Sequence, residues 1–196
     1  MSAGRILNIP NVLTLARIAL IPVFLLIAYW PPVIGVHGSE HTIVFRHALL
    51  TSIFILAAIT DWFDGYLARV LNQSSAFGRF LDPVADKLMV AAALIVLVQW
   101  KPTIMMAFAA IVIISREITV SALREWMAEL GARTNVAVST VGKYKTAFQM
   151  ISISIFLLNW QPLDIFAYLV LYAAVILTLW SMVIYLRAAW PFLKQP

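Results

Sequence analysis

Residues 43–69 read IVFRHALLTSIFILAAITDWFDGYLAR, and residues 80–100 read FLDPVADKLMVAAALIVLVQW. A bilayer-spanning helix takes about 20 mostly apolar residues, so each run is long enough to cross. Each also carries two aspartates at the end where the runs meet. Working outward, apolar segments of the same kind cover 11–30, 103–125, 136–159 and 163–187, separated by Pro, Gly, Asn and Ser punctuation. The chain is 196 residues long and 63% hydrophobic, with a mean hydropathy of +0.92. That is more apolar surface than one small soluble core hides. The expected fold is an all-α integral membrane protein of six transmembrane helices, preceded by a short interfacial segment over Met1 to Pro10. No internal repeat or linker divides it, so residues 1–196 are expected to form a single membrane domain. Arg5 before an apolar run faintly resembles a signal peptide, but Pro10, Arg17 and Pro22 interrupt the run and no small-residue cleavage site follows. The first helix is therefore expected to stay in the chain.

The formal charge is +5, from 14 basic and 9 acidic residues. In a membrane chain such an excess serves orientation and anionic headgroups, so no nucleic-acid partner is expected. With six spans, Arg5, Arg69, Arg79, Arg124, Arg133, Lys143, Lys145, Arg187 and Lys194 fall on one side, and Arg46 and Lys101 on the other. The positive-inside rule makes the first side, with both termini, cytoplasmic. The absence of cysteine excludes disulfides, thiolate metal sites and cysteine nucleophiles.

Four of the nine acidic residues, Asp61, Asp64, Asp82 and Asp86, fall within one short stretch. A carboxylate at membrane depth costs about 2.5–3.5 kcal/mol on insertion scales, so four uncompensated ones cost about 10–14 kcal/mol. Positive charge must sit among them. On a helix Asp61 and Asp64 stand about 60° apart, with Gly65 and Ala68 close to the same stripe. If Gly78, Asp82 and Asp86 are also helical they step by about 40° and make a second stripe, Pro83 being tolerated in or near the first turn. Two acidic stripes across a narrow cleft suit a hard cation, Mg²⁺ or Mn²⁺, and four carboxylates are enough for two ions.

Asp61-x2-Asp64-Gly65-x2-Ala68-Arg69, then eight residues, then Gly78-x3-Asp82-x3-Asp86 resembles, position for position, the signature of the CDP-alcohol phosphatidyltransferases. Further stretches are similar to the bacterial, phosphatidylglycerophosphate-forming members of that family. They are Asn8 to Asn11 with Leu13, Thr14, Arg17 and Ile18; Ser115 to Ile118; Leu123 to Gly131; and Gly142, Lys143, Lys145 and Thr146. The resemblance covers nearly the whole chain and is weakest from Pro31 to His47. It implies transfer of a phosphatidyl group from CDP-diacylglycerol to sn-glycerol 3-phosphate with release of CMP, in a homodimer in the bacterial cytoplasmic membrane with a cytoplasmic active site. It also implies roles: Asp61, Asp64 and Asp82 on metal, and Asp86 as the base with a metal contact as well. Spacing alone does not separate those roles. By the same resemblance Asn11, Thr14, Asp61, Gly65, Ala68, Arg69, Gly78 and Asp82 border CDP-diacylglycerol, although asparagine and threonine at a helix start equally suit capping.

Arg116 lies inside an apolar segment, where an arginine is costly unless it faces water or an anion. Arg124 follows at about 80° on the same helix, and with Lys143 or Lys145 the two make a candidate pocket for the acceptor phosphate. Snorkelling or topology equally accounts for Arg124, Lys143 and Lys145. Lys143 and Lys145 point about 200° apart, so one of them is expected to enter the pocket. His37 and His41 have the spacing of a metal pair but lack a third ligand. Trp30, Trp100, Trp160 and Trp190 mark helix ends as an interfacial belt. Two other functions compete: a sister enzyme with a different acceptor alcohol such as inositol phosphate, and a cation transporter. The second expects acids near the midplane and two related halves, whereas these acids gather beside Arg69, Arg79 and a polar loop.

Overall fold

The computed structural model describes residues 9–30, 40–70, 76–130 and 140–193; within them the side chains at 9, 10, 40, 62, 64–70, 76–80, 82, 83, 86, 140–143 and 193 are outside the description. The described residues form α-helices and no strand: α1 (Ile9–Tyr29), α2 (Glu40–Val70), α3 (Ala76–Trp100), α4 (Ile104–Glu129), α5 (Thr140–Leu158) and α6 (Asp164–Leu193), with a single 3-10 turn at Gln161–Leu163. Among the described residues Asn11–Tyr29, His41–Asp61, Ile104–Glu129 and Gln161–Phe192 are long and apolar enough to cross a membrane, while Lys87–Trp100 and Tyr144–Leu158 are shorter apolar stretches. The outward faces match that environment: Ile104 is 89% exposed and Ile165 78%. A helix apolar on both its packed and its open face belongs in lipid.

One expectation needs correction, and one boundary moves: α1 begins at Ile9, two residues before Asn11, while residues 1–8 lie outside the described residues. Pro83 is the eighth residue of α3, not part of its first turn. It brings no N–H for the carbonyl four residues earlier, so α3 carries a missing rung beside Asp82. By contrast Gly78, Asp82 and Asp86 are all helical, as the stripe required.

The chain divides into two compact units. The first holds α1, α2, α3 and residues 154–160, with α1 packed against both α2 and α3. The buried positions of α1 are Asn11, Thr14, Arg17, Phe24 and Ala28, one helical stripe that is polar at its start and apolar toward its end. In α2 the buried stripe Leu50, Phe54, Ala57 leads at helical spacing to Asp61. Toward the other end, His47 Nδ1 donates to the Leu157 carbonyl at 3.0 Å, which leaves Nε2 to accept from Asn159 Nδ2 at 3.5 Å. Asn159 closes α5 in the left-handed region, at φ 54°, which asparagine tolerates better than most residues. Trp100 packs edge-on against His47 at 4.9 Å, and the Arg46 guanidinium lies 5.6 Å from the Trp100 ring centroid.

The second unit holds α4, α5 up to Ile153, and α6. Contacts run in order along α4 and α6. Thr103 meets Tyr168, Met105 meets Tyr172, Arg116 meets Ser181, and Met127 packs with Ala189 among Leu123, Trp126 and Phe192. These two helices are therefore parallel. α5 runs against them, since Lys145 reaches Glu117 while Ser152 donates to the Ala167 carbonyl. At the start of α4, Thr103 is the N-cap, its Oγ1 accepting from Met106 N at 3.1 Å, and Lys101 pairs with Asp164 next to it.

Candidate active site

The signature is carried by two packed helices: Asp61 and Asp64 lie one turn apart in α2, Asp82 and Asp86 one turn apart in α3, and α2 and α3 both pack on α1. The side chain of Asp61 is described and is 41% exposed. It accepts from Nη1 of Arg17, whose side chain is 1% exposed. The stretch with the most acid charge thus receives a buried guanidinium from α1, part of the positive charge that the insertion cost demanded. Among the described residues no group of three potential ligands gathers; the side chains of Asp64, Asp82, Asp86, Gly65, Ala68, Arg69 and Gly78 lie outside the described residues. An oxygen-only donor set on two packed helices fits a hard divalent cation.

Asn11 and Thr14 are corrected as caps. They sit inside α1 and are 2% and 0% exposed, so both are buried polar side chains on the stripe that also carries Arg17. Arg17 was not assigned to the site from the sequence. Its signal was present, because an arginine within an apolar span needs an anionic partner, but the sequence reading used it as an interruption of a leader-like run and as part of a family-like stretch, with no partner named.

The Arg17–Asp61 pair is lopsided, and the asymmetry predicts its response to mutation. Removing a buried charge leaves the exposed carboxylate to rehydrate, whereas removing the carboxylate weakens the anchoring of a buried cation. Without added metal, Asp61→Ala is expected to lower thermal stability in detergent by up to about 3 kcal/mol, and Arg17→Met by less. The reverse order in a melting series would show that Arg17 does not depend on Asp61.

In the second unit Arg116 lies on the buried stripe of α4 with Met106, Ala109, Ala110, Ile113, Val120 and Met127. Its Nη1 donates to Glu117 Oε1 at 3.1 Å and its Nη2 to Ser181 Oγ at 2.6 Å. The guanidinium also lies 5.7 Å from the Tyr185 ring centroid. Lys145 Nζ donates to the same Glu117 Oε1, so two cations from α4 and α5 share one carboxylate. Lys145 is 4% exposed. Arg124 is exposed on α4 rather than buried with Arg116, the Lys143 side chain lies outside the described residues, His41 is exposed, and His37 lies outside the described residues. Glu117, Ser181 and Tyr185 were not identified from the sequence. Glu117 could have been, as an acid inside an apolar helix; Ser181 and Tyr185 carry no such signal.

Buried ion-paired side chains within long apolar helices define a helical membrane protein with polar sites in its interior. The family model described as CDP-alcohol phosphatidyltransferase matches residues 7–180, and the chain belongs to that family. It is 50% identical over 193 residues to a CDP-diacylglycerol–glycerol-3-phosphate 3-phosphatidyltransferase of Pseudomonas fluorescens, covering 96% of this chain and 93% of that relative. Relatives of the same name from Haemophilus influenzae (48% identity, 93% of each chain) and Pectobacterium atrosepticum (47% identity, 96% of this chain and 98% of the relative) match over almost their full lengths.

Proposed function

We propose that this protein transfers the phosphatidyl group of CDP-diacylglycerol to the primary hydroxyl of sn-glycerol 3-phosphate, giving phosphatidylglycerol phosphate and CMP. What carries the reading is identity of 47–50% to relatives named for that reaction, over 93–98% of their length. The acceptor oxygen forms a bond to the phosphorus that bears the diacylglycerol. The bond from that phosphorus to the oxygen of CMP breaks, and the hydroxyl proton passes to Asp86. Asp61, Asp64, Asp82 and Asp86 are the proposed ligands of Mg²⁺ or Mn²⁺, two ions, whose chemistry would be charge neutralisation on the diphosphate. Asn11, Thr14, Asp61, Gly65, Ala68, Arg69, Gly78 and Asp82 are assigned to CDP-diacylglycerol, and Arg116, Arg124, Lys143 and Lys145 to the acceptor. Of the two lysines, Lys145 is favoured, because it is buried and shares a carboxylate with Arg116.

In this reading both units belong to one membrane domain. All six helices cross the bilayer; α3, with 25 residues, and α5, with 19, are close to the length a span requires. The termini and active site face the cytoplasm of a bacterium, in its inner membrane, and the active form is a homodimer. The basic residues counted along the sequence support the orientation, and the family resemblance supports the dimer. The test of function is CMP release by the purified protein with CDP-diacylglycerol and, in turn, glycerol 3-phosphate, inositol phosphate and other alcohols. Release with glycerol 3-phosphate alone is expected; release with another acceptor in its place would assign the chain to a sister activity.

Arg116→Ala tests the acceptor assignment. A charge-assisted hydrogen bond contributes about 1.5–3 kcal/mol, so kcat/KM for glycerol 3-phosphate should fall about 10- to 100-fold. Binding of CDP-diacylglycerol should change far less. Equal losses for the two substrates would remove Arg116 from the acceptor site.

A further inference from the structure

We propose that Glu117 is a positioning residue for the acceptor phosphate, acting through Arg116 and Lys145 by holding the two cations on one carboxylate oxygen. The inference rests on the proposed acceptor site. Glu117 Oε1 takes one N–H from each cation, and Ser181 takes a third donor, from Arg116 Nη2. Arg116 Nε is then left buried and, among the described residues, without a hydrogen-bond partner. A buried guanidinium N–H with no acceptor is costly unless something polar arrives. Three further buried oxygens in the same unit lack partners among the described residues: Asp164 Oδ1, beside Lys101, and two that neighbour the residues of the cation cluster in sequence. Gln149 Oε1 is one turn along α5 from Lys145, and Thr178 Oγ1 one turn before Ser181 in α6. The side chains are themselves buried, Gln149 at 4% exposure, Thr178 at 0% and Arg116 at 6%. Arg116 Nε and the Thr178 hydroxyl can donate to the oxygens of an anion, and the Gln149 amide oxygen can accept from a hydroxyl of the same ligand.

Charge fits the same ligand. Two buried cations brought to one carboxylate suit a phosphate monoester, whose oxygens both can bind by charge-assisted hydrogen bonds. Without Glu117 the two cations would lose the carboxylate oxygen they share, which sets their spacing before substrate arrives. A rival role is open to the same carboxylate. It could occupy the cations as a stand-in for phosphate and compete with the acceptor, in which case its removal would tighten acceptor use. The two roles predict opposite signs.

The experiment uses the full chain in detergent with CDP-diacylglycerol, and measures kcat and KM for each substrate. Glu117→Gln is expected to raise KM for glycerol 3-phosphate about tenfold and to move KM for CDP-diacylglycerol less than about twofold. Glu117→Asp keeps the charge on a shorter arm and should recover part of the loss. Adding Lys145→Met to Glu117→Gln should cost less than the product of the two single effects, because both disturb one contact. A lowered KM for glycerol 3-phosphate in Glu117→Gln would establish the competing role and overturn the proposal. So would equal changes for both substrates, or a melting shift with unchanged kinetics. Arg116→Ala and Lys145→Met separate the two levels. If they weaken acceptor use and Glu117→Gln does not, the positioning role alone fails; if they leave it unchanged, the acceptor site fails and the proposal with it. Should Glu117→Gln not accumulate as folded protein, Glu117→Asp carries the test, with no change in KM for glycerol 3-phosphate as the refuting result.

Discussion

Asp86→Asn is expected to lose turnover by a factor of about 10² to 10⁴, the usual size of a lost general base, while CDP-diacylglycerol still binds. Asparagine keeps the size and the helical position of the side chain but takes no proton. Asp86 is one turn further along α3 than Asp82 and so farther from the start of that helix. The three remaining aspartates should respond differently. Asp61→Asn, Asp64→Asn and Asp82→Asn each remove a charge facing a cation, so metal and nucleotide affinity should fall together with rate. All four variants are to be compared under one condition for metal-dependent nucleotide binding and for turnover. Near-normal turnover in Asp86→Asn, or lost turnover with intact binding in one of the other three, would reassign the base.

Chelation should have an effect of similar size. Activity in excess EDTA is expected to fall at least about a thousandfold and to return with Mg²⁺ or Mn²⁺. Lewis-acid stabilisation of a transferring phosphoryl group amounts to several kcal/mol, each 1.4 kcal/mol being tenfold in rate. Carboxylate oxygens hold such ions reversibly. The loss should also leave the protein folded, because α1 packs against α2 and α3 with buried apolar side chains such as Phe24, Leu50, Phe54 and Leu94, apart from the aspartates. Melting curves with and without EDTA check that part, and undiminished turnover in EDTA would exclude a metal-dependent reaction.

Sequence determined this protein's class, its helices and the spacing of its signature, because all three are local. Apolar runs long enough to span declare themselves residue by residue. The six expected segments match the six helices to within a few residues, apart from α6, which continues past residue 187 to Leu193. The four aspartates needed only two helical turns to be read as pairs. Local pattern also failed in identifiable places: it allowed Asn11 and Thr14 as caps, and it gave the angle between Arg116 and Arg124 without saying which of them faces the packed side.

Tertiary structure decided which charge meets which. Arg17 and Asp61 are 44 residues apart, Glu117 and Lys145 28, and Arg116 and Ser181 65. Insertion cost tells the reader of a sequence that each buried charge needs a partner. The partner's identity depends on how the helices of each unit pack and in what register, which no single segment encodes. Lys145 is buried on Glu117 because α5 runs antiparallel to α4 at that level, and Arg17 reaches Asp61 because the polar end of the α1 stripe packs against the acidic end of α2.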